Sequence, residues 1–117
     1  MLYDAKGFDH IYIVTGYTDM RKGIDGLIAK VGYEMNLNPF QEKTLFLFCG
    51  KAANKIKGLV WEKDGFLLLY KRVDKGSYVW PRTPGEVKDL TQEQFERLMS
   101  GFAIESRIKP SRPKAIL

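Results

Sequence analysis

The chain has 117 residues, of which 44% are hydrophobic and 28% charged, with a net charge of +5. That length fits one domain with one core, and the composition excludes a disordered chain. A single cysteine, Cys49, excludes an internal disulfide, and no stretch approaches the roughly 18 apolar residues of a membrane span.

The reading along the chain begins with His10 to Thr15, HIYIVT, whose β-branched and aromatic residues predict a strand. Thr18 then stands as a helix N-cap, with Asp19 in the first turn, where a carboxylate meets the positive helix end. Met20, Ile24, Leu27, Ile28, Val31 and Met35 recur as one face of a 3.6-period helix, predicted over 19–35. Gly23 and Gly26 weaken it by about 1 kcal/mol each relative to Ala.

Thr44 to Cys49 is apolar on both faces after Thr44 and predicts a central strand. Lys55 to Trp61 and Phe66 to Val73 flank an Asp64-Gly65 hairpin signal, and Tyr78 to Trp80 reads as a further short strand in an antiparallel meander. Thr91 and Gln94 form a capping box, Leu90 and Phe95 a hydrophobic staple, and Gly101 a C-cap for a short last helix. The expected fold is α+β: a mainly antiparallel sheet of four or five strands, one long helix packed on it, and a short C-terminal helix. The expected organisation is a single domain over 1–105 and a basic, extended tail over 106–117.

Charge is unevenly placed. Residues 43–82 hold nine basic and three acidic groups, and residues 106–117 hold four basic and no acidic ones. The flanking stretches are net acidic. Such segregation raises a local positive potential that attracts polyanions. Strand alternation puts Lys55, Lys57, Leu59 and Trp61 on one sheet face. Cations on a sheet face beside aromatics can meet phosphates and stack on bases, whereas aromatics in antiparallel strands commonly serve the core instead.

Catalytic signals are sparse. The only histidine is His10, and His10 with Cys49 makes no metal-ligand set. Asp19 and Asp25 stand about 120° apart on a helix, so they do not converge on one ion. No phosphate-binding glycine loop or nucleophile elbow is present. The reading is therefore a non-enzymatic protein without a cofactor. Met1 to His10 lacks the apolar segment of a signal peptide, and Ala115 to Leu117 carries no lipidation signal. A cytoplasmic location is expected, in keeping with the lone cysteine.

Three strings stand together: TDMRKG from Thr18 to Gly23, KGLVWEKDGFLLLYKR from Lys57 to Arg72, and GSYVWP from Gly76 to Pro81. In combination they resemble the small second-open-reading-frame proteins, TnpB, of the insertion-sequence-sixty-six transposons, over about Ile11 to Gly101. The resemblance implies a bacterial accessory protein of transposition, encoded beside a separate transposase that carries the strand-transfer chemistry. It transfers no catalytic residue. DNA and the transposase are the expected partners, with Arg21, Lys22, Lys55, Lys57, Lys71, Arg72, Lys75, Trp80 and Arg82 as candidate nucleic-acid contacts. A protein–protein adaptor that touches no DNA is the alternative. Oligomeric state stays open. One departure is Lys51 to Lys55, KAANK, which has fewer cations than the arginine-rich run expected there.

Overall fold

A computed structural model describes residues 6–105. The expected tail over 106–117 lies outside the described residues. Among the described residues five strands form one sheet: β1 (His10–Val14), β2 (Thr44–Cys49), β3 (Lys55–Trp61), β4 (Phe66–Arg72) and β5 (Val87–Asp89), in the order β4-β3-β2-β1-β5. The sheet is mixed. β1 runs parallel to β2, with Ile11 opposite Leu45, and the other pairings are antiparallel. β2 is central and wholly buried, which explains why its sequence lacks alternation.

The long first helix is a correction. The α-helix α1 spans only Ile24–Ala29 and passes into one π-helical stretch, Lys30–Glu34. Its start is delayed because the Asp19 carboxylate captures the Arg21 backbone N–H at 2.9 Å, and the Lys22 N–H donates to the Asp19 carbonyl at 3.1 Å. Thr18 is not the cap. It is buried, and its N–H donates to the Cys49 carbonyl, pinning the segment to the end of β2. Gly23 takes the N-cap position in extended backbone.

A second correction concerns residues 78–80, which form no strand. The Tyr78 N–H donates to the Ala53 carbonyl at 2.7 Å, and Trp80 enters the core. The strand that completes the sheet is β5, which carries only three residues and little β propensity. It forms because β1 offers it an edge.

Two cores flank the sheet. On one face Val14, Phe46, Phe48 and Leu59 pack against Leu27, Val31 and Met35. On the other, Ile13, Leu45, Leu47, Ile56 and Val60 pack against Trp80, Phe95 and Leu98. Gly58 allows this density, since a Cβ there would stand 3.2 Å from Leu45 Cδ1.

The last helix, α2 (Gln92–Met99), starts on the expected capping box: Thr91 Oγ1 accepts from the Gln94 N–H at 3.1 Å and Gln94 Oε1 accepts from the Thr91 N–H at 2.9 Å. Gly101, at φ +90°, follows its C-cap Ser100. Thr91→Ala is expected to lower stability by about 1 kcal/mol, read as a lower urea midpoint at unchanged m-value.

Candidate nucleic-acid interface

The topology gathers one set of loops. β1 and β2 end, and β3 and β5 begin, at the same end of the sheet, where β4 also ends. The segments 15–23, 50–54, 73–77 and 81–86 therefore meet there. They are tied by backbone bonds: Gly16 N–H to the Pro81 carbonyl at 2.9 Å, Gly50 N–H to the Lys55 carbonyl at 3.1 Å, and Val73 N–H to the Asn54 carbonyl at 2.9 Å. Thr15 adds a side-chain tie, its hydroxyl donating to the Thr83 carbonyl and accepting from the Glu86 N–H.

All the sequence-predicted cations lie in these loops or on the strand ends beside them. Lys55 stands directly opposite Arg72 across the β3–β4 ladder, and Lys57 stands opposite Tyr70. Like charges directly opposite weaken a sheet, so the Lys55–Arg72 pair is not a stabilising feature of the fold. Lys57 is a tie as well as a cation. Its Nζ donates to the Lys22 carbonyl at 2.8 Å and lies 5.7 Å from the Tyr70 ring centroid. Tyr70 itself is 56% exposed, so one aromatic face stands beside the cations in reach of solvent.

Arg21 projects with 91% of its side chain exposed and pairs with Asp19 at 2.8 Å. The Arg21 side chain and N–H, both bonded to that carboxylate, hold the Asp19 carboxyl far below the usual carboxylate range. Arg82 lies over the Tyr17 ring at 4.7 Å. Lys75 is exposed in the turn after β4. Lys71 lies on the opposite sheet face from Lys55 and Lys57, since it pairs with Ile56.

Trp80 does not belong to the surface. It is 3% exposed, and its Nε1 donates to the Val14 carbonyl at 3.0 Å. A base could stack on it only if the core opened.

The sequence missed the part played by Lys51. With Lys55, Thr18, Asp19 and Asn54 it lines a concavity of about 280 Å³ between the 18–20 and 50–54 loops. The Thr18 hydroxyl there is buried with no hydrogen-bond partner among the described residues. Met20 closes its floor, so tightly that a Cβ on Gly50 would stand 2.7 Å from Met20 Cγ. Only the parallel β1–β2 pairing brings these loops together, and no local pattern encodes it.

Cys49 lies beneath this end. Burial pushes its thiol up to about 11, against an opposing pull from Arg82. The thiolate is the reactive form. Cys49 is therefore expected to resist a thiol reagent at pH 8 in the folded protein and to react fully once urea unfolds it.

Among the described residues no three His, Cys, Asp or Glu side chains gather as a metal site, and no helix is long and apolar enough to cross a membrane.

The sequence profile described as IS66 Orf2 like protein matches residues 9–109. The chain is 35% identical over 92 residues to the uncharacterized protein y4hO of Sinorhizobium fredii (strain NBRC 101917 / NGR234), covering 79% of each. It is 26% identical over 102 residues to the uncharacterized protein y4jC of the same strain, covering 87% of this chain and 86% of that relative. No solved structure matches it. The matched span takes in all five strands, both helices and the whole cationic end, and the chain belongs to the IS66 Orf2-like family of insertion-sequence accessory proteins.

Proposed function

We propose that this protein serves IS66 transposition by binding DNA without catalysis, through the cationic end of its sheet. The observation that carries this reading is the convergence of Lys22, Lys51, Lys55, Arg72 and Lys75 on one end, with Lys55 and Arg72 directly opposed. A fold gains nothing from opposed cations, whereas a polyanion bound between them converts their repulsion into attraction. The exposed Tyr70 ring offers a stacking surface beside them. Backbone phosphates are the chemistry that such clustered cations match.

The test is fluorescence anisotropy of labelled duplex and single-stranded DNA across a salt series. Neutralising about five phosphates gives a slope of log affinity on log salt near −4. Absence of binding to either form at low salt refutes the reading.

One observation favours the adaptor reading. At the opposite end of the sheet Phe40, Trp61 and Phe66 form a ring cluster with centroids 4.9–5.2 Å apart, and Phe40 is 53% exposed. An exposed aromatic cluster suits a protein partner such as the transposase. Retention of transposase at high salt, lost on Phe40→Ser, would support it.

A further inference from the structure

Strand β4 is the long edge of the sheet, and the hairpin fixes which of its backbone groups face outward. The Glu62 N–H donates to the Gly65 carbonyl at 2.8 Å, and the Val73 N–H donates to the Asn54 carbonyl at 2.9 Å. Hydrogen-bonded pairs repeat every second residue in an antiparallel ladder. Leu67, Leu69 and Lys71 therefore turn their backbone groups toward β3. Phe66, Leu68, Tyr70 and Arg72 turn theirs away from the sheet.

Long edges of this kind are ordinarily guarded by a proline, a bulge or a mid-strand charge. From Phe66 to Tyr70 the strand has none of these, and its pairing with β3 is unbroken. Two apolar side chains on it are open to solvent: Leu67 is 40% exposed and Tyr70 56%. The other edge, β5, is only three residues long.

We propose that β4 is a self-association edge, pairing antiparallel with β4 of a second copy about a two-fold axis at Leu69. The charge pattern suits a second copy, and only in this direction. The strand reads FLLLYKR, apolar at its start and basic at its end. A parallel pairing would align the basic ends. The antiparallel pairing that overlaps the whole strand sets Arg72 against Phe66 of the second copy and Lys71 against Leu67 of the second copy. It also sets Leu68 against the second copy's Tyr70, and Leu69 against its own counterpart. No cation meets a cation, and Leu67 is covered. Because the outward groups of Phe66, Leu68, Tyr70 and Arg72 fall opposite one another, the ladder continues without a break. The product is one ten-stranded sheet.

The association needs no nucleic acid, so it stands or falls apart from DNA binding. Sedimentation velocity of the full chain alone, over a concentration series, is expected to show a monomer–dimer equilibrium. Leu67→Lys places a cation opposite Lys71 and should weaken the dimer by up to about tenfold, since symmetry counts each cross-strand pair twice. Leu67→Glu should strengthen it by a similar factor. Leu69→Cys should give a disulfide-linked dimer on mild oxidation, because that residue faces its own copy. A monomer at every concentration overturns the proposal. So does weakening of the dimer by Leu67→Glu to the same extent as by Leu67→Lys, which would place the contact elsewhere.

Discussion

Replacing Trp80 with alanine is expected to destabilise the protein by about 3–5 kcal/mol, the range for removing a large buried aromatic. Two losses combine. The indole leaves a cavity between the sheet and α2, among Ile13, Leu98 and their neighbours. The Val14 carbonyl also loses the donor that Trp80 Nε1 supplies at 3.0 Å. Small domains hold only about 5–15 kcal/mol in total, so much of the fold's stability is at stake. Trp80→Phe keeps most of the volume and isolates the hydrogen bond, so it should recover the larger part. Urea unfolding followed by far-ultraviolet circular dichroism reads both. The contrast with the surface cations is informative: a residue that touches DNA changes affinity at constant stability, whereas Trp80 changes stability first.

The paired substitution Lys55→Gln with Arg72→Gln should do the reverse. On the proposed reading it removes two phosphate contacts, so the salt slope of DNA binding should become shallower by about two. Affinity should fall alike for all sequences, because these side chains read charge. Stability should stay level or rise slightly, because the substitution relieves a like-charge pair directly opposed in the β3–β4 ladder. Lys57→Gln would be a poorer probe. Its Nζ holds the Lys22 carbonyl, so its loss disturbs the 19–23 loop as well as the charge. Anisotropy across a salt series, with unfolding curves of the same samples, separates these effects.

The parts of this fold legible in the sequence are those set by near neighbours. The α2 start follows from Thr91 and Gln94, three residues apart, and the β3–β4 hairpin from Asp64 and Gly65. The burial of β2 follows from its unbroken apolar run. What stayed hidden is set across the chain. The apolar spacing from Met20 to Met35 is genuine, and Leu27, Val31 and Met35 do face the core. It overstated the helix because periodicity does not register a carboxylate that bonds two residues ahead, as Asp19 does to Arg21. The parallel β1–β2 pairing and the short β5 rest on contacts between distant segments. The candidate site shows the same division. Its cations were visible as residues, and their meeting at one end came only with the topology. Trp80 lies in the core, and aromatic content alone does not tell a core indole from a stacking platform.

The central claim is that the cationic end of the sheet receives nucleic acid. Residue-resolved NMR, with labelled protein titrated by a short DNA duplex at low salt, tests it most directly. The amides of 18–23, 50–57 and 70–76 should shift progressively, while those of the 62–65 hairpin and of α2 stay in place. Shifts confined to the 62–65 hairpin and the Phe40 region, or no shifts at any ratio, would contradict it.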